Sequence, residues 1–329
     1  MYSYLAYLIL GFALTLLGGW LFTNAAEYIS YRYRLGGSFV GAVISPILTS
    51  MPELVVFLVA LIAYGGREGV DVAVGTVIGE PFVVSTVIYP IIFLIALVGF
   101  LMGYRDDLVL EVDKTLIIPF AAVTALFPTV LLPAVLKSPI VVKGLVSLGL
   151  ASLYLFYMYL MRRRQGLIIE DAEGLYVRRV LNINEGVSLV IQLAASVTML
   201  YLGSRIMVWN IVELSKLLLK DVMALSIIVI PTATVLPESV TAAIWTFRGR
   251  DTLAVSALVG EKVLYSTIYP ALMLLSTSWS LNIDAVLCVL VVEAVSAAML
   301  YHVYRGRLTW DVSVIGLIGY ASYLALALM

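Results

Sequence analysis

The sequence predicts an all-α polytopic membrane protein, with ten transmembrane helices arranged as two inverted five-helix repeats. Three observations carry that expectation. Hydrophobic residues make up 62% of the 329-residue chain and mean hydropathy is +1.06, far from the composition of a water-soluble domain. The apolar residues fall into runs of the length that one bilayer crossing requires, about 20 residues. A proline–glutamate motif also occurs twice, once in each half and inside such runs. Pro46-Ile47-Leu48-Thr49-Ser50-Met51-Pro52-Glu53 returns as Pro231-Thr232-Ala233-Thr234-Val235-Leu236-Pro237-Glu238.

Taken in order, the expected crossings lie near residues 3–26, 37–64, 72–102, 116–135, 139–161, 185–209, 222–247, 252–276, 281–303 and 309–328. The first run lacks a basic start and a small-residue cleavage site, so it reads as a retained span and not as a signal peptide. Connections are short. The longest, 162–184, carries Arg162, Arg163, Arg164, Arg178 and Arg179 and is too small for a regulatory domain. It separates a first five-span repeat, 1–161, from a second, 185–329.

Loop charge sets the orientation. With the N-terminus outside, the cytoplasmic ends hold those five arginines with Arg32, Arg34, Arg105, Lys114, Arg248, Arg250, Arg305 and Arg307, against Arg67, Lys137, Lys143, Arg205, Lys216 and Lys220 on the other side. Both termini then face outward, in what is expected to be the cell (plasma) membrane. An odd number of spans per half makes the halves opposite in orientation, the pattern of inverted-repeat transporters. A net charge of −1 with no basic stripe gives nucleic acid no surface. The single Cys288 excludes an internal disulfide and, with the single His302, a Cys/His metal centre. The expected partners are inorganic cations and the lipid bilayer, with no obligatory protein partner evident and no cofactor.

The chemistry lies in the duplicated segments. Residues four apart share a helix face, which puts Thr49 beside Glu53, Thr234 beside Glu238 and Thr76 beside Glu80. Pro52 and Pro237 lack an N–H and so free the carbonyls of Leu48 and Ala233. At membrane depth a free carbonyl is tolerated only against protein or a cavity, where it serves as a ligand oxygen. A second pair of segments follows: Gly75-Thr76-Val77-Ile78-Gly79-Glu80 and Ser256-Ala257-Leu258-Val259-Gly260-Glu261, each leading into Ser85-Thr86-Val87-Ile88-Tyr89-Pro90 or Ser266-Thr267-Ile268-Tyr269-Pro270. Glu80 and Glu261 stand about 14 Å along their spans, near mid-membrane, and the small residues before them allow close backbone approach. Carboxylates at that depth mark ion pathways. Four of them with hydroxyls and carbonyls amount to the oxygen set that Ca2+ takes.

Other polar residues read more plainly. Asp71 and Asp251 are expected to cap helix starts. Trp209, Trp245, Trp279 and Trp310 are expected in the interfacial aromatic belt, and His302 at an interface. Glu293, midway along the ninth span, is divided between structural pairing and function. Lys262 lies too deep to reach either surface and needs a partner: Glu261, its sequence neighbour, or Glu293. Both Lys262 and Glu293 are modulating candidates.

At these motifs the chain resembles the cation/calcium exchanger superfamily, which includes sodium/calcium and proton/calcium exchangers. Members carry Gly-Thr-Ser-x-Pro-Glu followed by Gly-Asn-x-x-Gly-Ser-Asn in each of two inverted repeats. Thr49, Ser50, Pro52 and Glu53 match the first block, Thr234, Pro237 and Glu238 its second copy, and Gly75, Gly79 and Gly260 the glycine frame. Leu48 and Ala233 replace the first Gly, Val235 replaces Ser, and Thr76 and Ala257 stand where Asn is usual. Glu80 and Glu261 occupy the Ser position and are followed by Pro81 and Lys262. One turn later Val84 and Tyr265 stand where sodium-coupled members often carry Asn or Asp.

The resemblance implies an alternating-access antiporter with Glu53 and Glu238 as central ligands, exchanging Ca2+ or a related divalent cation for protons or sodium. Closely spaced carboxylates cannot all be charged in an empty site, and a divalent cation displaces their protons on entry. That favours protons as the coupling ion. The alternative is a passive cation channel or leak lined by the same glutamates. An intramembrane enzyme is not expected: the chain has no Ser/His pair, His-rich motif or paired catalytic aspartates.

Overall fold

The computed structural model describes residues 2–32, 50–136, 139–162, 174–218 and 220–328, most of them helical. The helices are α1 (Tyr2–Arg32), α2 (Met51–Leu58), α3 (Gly66–Val83), α4 (Tyr89–Leu101), α5 (Ile117–Leu126), α6 (Leu131–Val135), α7 (Ile140–Arg162), α8 (Tyr176–Leu181), α9 (Glu185–Leu218), α10 (Val222–Phe247), α11 (Asp251–Tyr265), α12 (Ile268–Ser276), α13 (Ile283–Tyr304) and α14 (Asp311–Leu328). Two-residue strands β1 (Leu110–Glu111) and β2 (Arg307–Leu308) pair antiparallel. Among the described residues, seven helical stretches are long and apolar enough to cross a membrane: Ser3–Ala26, Gly66–Leu101, Lys114–Val135, Ile140–Met161, Glu185–Leu218, Asp251–Ser276 and Ile283–Tyr304. Three shorter apolar stretches are Met51–Tyr64, Val222–Leu236 and Asp311–Ala327. Each of these overlaps one expected crossing; residues 37–49 of the second lie outside the described residues.

The chain divides into two compact units, 1–76 with 165–238 and 77–164 with 239–329, so each unit draws on both halves of the sequence. In the first, α1 lies along α9 through small residues. A Cβ on Gly18 would sit 2.9 Å from the Leu200 nitrogen, and one on Gly203 2.7 Å from that of Thr15, so neither position has room for a side chain. Gln192 ties the same pair together: its amide donates to the Leu21 carbonyl (2.9 Å) and Asn24 Oδ1 (2.8 Å). Its carbonyl oxygen accepts from the Val177 N–H, docking α8, which belongs to the expected 162–184 linker. The helix after α2 widens into a π-turn, Val59–Tyr64. Gly65 and Gly66 then reverse the chain at φ of 73° and 67°, a conformation open to glycine at no steric cost. That reversal starts α3 six residues before the expected crossing. Asp71 therefore sits inside the helix and is not its cap.

In the second unit the loop after α4 is held by one ion pair. Arg105 donates from both terminal nitrogens to Asp251, Nη1 to Oδ1 at 3.0 Å and Nη2 to Oδ2 at 2.8 Å, and both side chains are almost fully buried. Arg105 also donates to the Thr246 and Val109 carbonyls, and Asp251 Oδ2 accepts from the Glu111 N–H. The pair thus fastens strand β1 to the start of α11. Asp251, expected as a cap, is the first helical residue instead, where a carboxylate also complements the helix dipole. Trp279 is a second correction. It is buried, not interfacial, because its indole N–H donates to the Val130 carbonyl (2.8 Å) across the unit.

Truncating one member of a buried pair leaves an uncompensated charge, at a cost of about 3–5 kcal/mol. Arg105→Met and Asp251→Leu should each lower the thermal unfolding midpoint in detergent strongly, whereas the double variant should lose less than the sum of the two. Additive losses would show that the pair is not the fastening.

Candidate cation site

Glu53 is the third residue of α2 and is buried, 2% exposed. The hydroxyl of Thr234, from the other copy of the motif, lies within hydrogen-bonding reach of its carboxylate. Among the described residues Glu53 Oε2 has no hydrogen-bond partner. The Thr234 hydroxyl also lies 3.2 Å from the Ile230 carbonyl, so its single proton is shared between that carbonyl and the carboxylate. Tertiary structure therefore pairs this Thr across the motif copies as well as placing it one turn from Glu238. Pro237 and Glu238 are helical within α10, which runs unbroken through both prolines; their side chains lie outside the described set. Buried Ala233 loses its i+4 donor to Pro237, as expected. Ser50, just ahead of α2, is buried, and its carbonyl accepts from Leu54 N–H (3.2 Å). Thr49 and Leu48 lie outside the described residues.

On α3, buried Thr76 back-bonds to the Val72 carbonyl (2.9 Å). A Cβ on neighbouring Gly75 would fall 2.8 Å from Ser226 Cβ and 2.9 Å from the Met223 carbonyl, so α3 and α10 approach at backbone distance there, as the small-residue spacing predicts.

The second unit holds Glu80 and Glu261, both buried. The Tyr89 hydroxyl lies in the electrostatic field of both carboxylates and, among the described residues, has no hydrogen-bond partner. The helix puts Tyr89 there by a local device. The phrase Ser-Thr-Val-Ile-Tyr-Pro is one residue longer than its second copy, Ser-Thr-Ile-Tyr-Pro. The extra residue is absorbed as a π-turn, Val84–Ile88, just after Pro81 has removed one helical N–H. The second copy, without the insertion, breaks instead: α11 stops at Tyr265 and α12 starts at Ile268.

Lys262 is completely buried. Its Nζ donates to Ser85 Oγ and Ser296 Oγ, both at 2.8 Å, and stands 5.5 Å from the centre of the Tyr89 ring. It feels the charges of Glu80 and Glu293, yet forms no ion pair with either, nor with Glu261, among the described residues. The expected choice between Glu261 and Glu293 is therefore resolved by hydroxyls. Glu293 Oε2 is likewise buried without a hydrogen-bond partner among the described residues. His302 ends α13 and meets Asp311 Oδ2 at 2.9 Å. Among the described residues, no three Asp, Glu, His or Cys side chains converge as a metal-binding group. Sequence reasoning missed Tyr89, Ser85 and Ser296 as site neighbours. The duplicated Ser-Thr…Tyr-Pro phrase pointed to the first two, and nothing pointed to Ser296.

The family model described as "Sodium/calcium exchanger protein" matches residues 3–162 and 188–329, on either side of the basic linker. The chain belongs to the sodium/calcium exchanger family. Its fold is similar to that of a solved H+/Ca2+ exchanger, CAX (TM-score 0.75, 17% identity, covering 99% of this chain and 86% of that one). It is also similar to native YfkE (0.69, 12%, 99% and 92%). A third likeness is to the sodium-calcium exchanger NCX_Mj soaked with zero Na+ and Ca2+ (0.58, 17%, 98% and 98%). Comparison with curated protein sequences returned no match. As a member of this family the exchanger is a transporter and not an enzyme.

The π-turn generates a test. Deleting Val87 gives the first copy the length of the second and turns every residue beyond it by about 100° around the helix. The variant should keep its far-UV helical signal but lose thermal stability, because the face of α4 that carries Tyr89 leaves its buried position. Unchanged stability would show that the π-turn does not set the register of α4.

Proposed function

We propose that this chain is a secondary antiporter that exchanges Ca2+, or a related divalent cation, for protons by alternating access. The observation that carries this reading is the buried Glu53 carboxylate. A hydroxyl from the opposite motif copy reaches it, and one of its oxygens has no hydrogen-bond partner among the described residues. Left without water, such an oxygen is costly, and a hard cation that prefers carboxylate, hydroxyl and carbonyl ligands would satisfy it. Glu53 and Glu238 are the central ligands in this reading, joined by Thr49, Ser50, Thr234, Thr76 and the carbonyls of Leu48 and Ala233. Glu80 and Glu261 carry the coupling protons. Family membership and the Ca2+ named for the CAX and NCX_Mj exchangers support the cargo.

Proton coupling rests on departures from the sodium-coupled pattern. Tyr265 stands where Asn or Asp is usual, and its ring stacks on Tyr269 at 4.3 Å between centroids, so the position is filled by packing and not by a ligand amide. In the same reading, the seven long and three short apolar stretches make ten crossings in two inverted repeats, 1–161 and 185–329. The 162–184 linker then faces the cytoplasm, and both termini face outward.

Glu53→Gln should abolish divalent uptake into proteoliposomes while the protein still elutes as a folded species. Thr234→Val removes a hydroxyl oxygen from the proposed ligand set and should weaken apparent Ca2+ affinity roughly tenfold, about 1.4 kcal/mol. Full uptake by Glu53→Gln would remove this residue from the site.

A pH gradient imposed across proteoliposomes free of Na+ should drive Ca2+ counterflow, with no added effect of a Na+ gradient. Flux that depends strictly on Na+ would overturn proton coupling and leave the antiport itself standing.

A further inference from the structure

Lys262 is the feature of the second unit that divalent exchange does not use. A buried ammonium in a membrane protein is expected to pair with a carboxylate, and here Glu80 and Glu293 are near enough for their charges to be felt. The nitrogen instead takes two neutral oxygens, Ser85 Oγ and Ser296 Oγ, each at 2.8 Å, with the Tyr89 ring face at 5.5 Å. These hydroxyls are committed to it. Nearby helical hydroxyls spend their proton on the carbonyl one turn earlier: Thr86 on Phe82, Ser266 on Lys262 and Thr267 on Val263. Among the described residues Ser85 and Ser296 make no such bond, and Lys262 is their hydrogen-bond partner. Their place is also set by the backbone, since α14 meets the π-turn so closely that a Cβ on Gly316 would fall 2.6 Å from the Ser85 carbonyl. Neutral oxygens in a fixed frame, a π-face, and carboxylates in the surrounding shell are how proteins seat a monovalent cation.

We infer that the Lys262 ammonium is a resident monovalent cation, seated in a site that Ser85, Ser296 and Tyr89 build, and that this site accepts a free monovalent cation once the lysine stem is removed. The stem arrives from α11, directly after Glu261, so the amine is tethered beside the candidate carboxylates. A chain carrying its own monovalent charge at this place does not recruit one from solution. The transport consequence rests on the exchanger reading above; the binding consequence does not.

The test uses the purified full-length chain and needs no knowledge of the cargo. Thermal unfolding is followed in choline chloride, NaCl, KCl and methylammonium chloride at equal ionic strength. The parent protein should unfold at one temperature in all four. Lys262→Ala should unfold lower in choline and regain about 2 °C or more in K+ or methylammonium, ions close to the lysine head in size. Adding Ser85→Ala and Ser296→Ala should abolish that gain. Lys262→Met, whose apolar chain fills the space, should not respond to any ion. If Lys262→Ala survives purification only in K+ or methylammonium, the inference holds. Loss in every salt, an equal unfolding temperature in every salt, or a gain that persists without both serines overturns it.

In proteoliposomes, Ca2+ uptake by Lys262→Ala should require K+, Na+ or methylammonium, where the parent requires none. A parent that moves no Ca2+, with the thermal responses intact, would remove the exchanger reading and leave the cation site. A parent that transports, beside a Lys262→Ala variant that ignores every ion in both assays, would do the reverse.

Discussion

A charge held in a low-dielectric interior must be matched, shared or desolvated at great cost, and the arrangement of this chain follows from that requirement. Three buried centres meet it in three ways. At Arg105 and Asp251 the charges cancel in a two-pronged pair whose remaining donors all find carbonyls. At Lys262 the positive charge is seated on hydroxyls and an aromatic face, with carboxylates at longer range. At Glu53 the match is incomplete, for one oxygen has Thr234 nearby and the other has no hydrogen-bond partner among the described residues. The first centre is a fastening and the second a buried amine held by hydroxyls. The third leaves one carboxylate oxygen unsatisfied among the described residues, the valence that the proposed exchange would fill.

The duplicated motifs have diverged into different backbone solutions. At the proline–glutamate motif, the first copy enters a short helix with Pro52 in its opening turn, where a missing N–H costs nothing, while the second lies inside an unbroken helix. At the Ser-Thr…Tyr-Pro phrase, one copy takes up an inserted residue as a π-turn and the other breaks between two helices. Pro81 and Lys262 occupy the same place in the two copies. One removes a backbone donor and the other adds a charged side chain, so the two halves do not present equivalent groups even where their glutamates correspond.

What the sequence determined by itself was the class of protein and the places where charge enters hydrocarbon. Both are local properties. Hydropathy over a window of one crossing needs no tertiary information, and a duplicated Pro-Glu is visible as text. Hence the apolar stretches overlap the expected crossings, and Glu53, Glu80 and Glu261 are buried as their positions required. Family membership was legible for the same reason, since motif blocks are short and contiguous.

Tertiary structure decided which groups meet, because partners on different helices leave no mark at a fixed spacing. Thr234 reaches Glu53 across 181 residues as well as lying one turn from Glu238. Ser296 supports Lys262 from a helix whose sequence carries no motif there. Asp251 looked like a helix cap because capping is local, but a guanidinium 146 residues away took the carboxylate. Trp279 looked interfacial by its place at a span end, and a carbonyl on another segment drew it inside. Local rules rank what a residue does for its own helix. Where a buried polar group finds a partner on a neighbouring helix, the larger energy of satisfying it in a dry interior overrides that ranking.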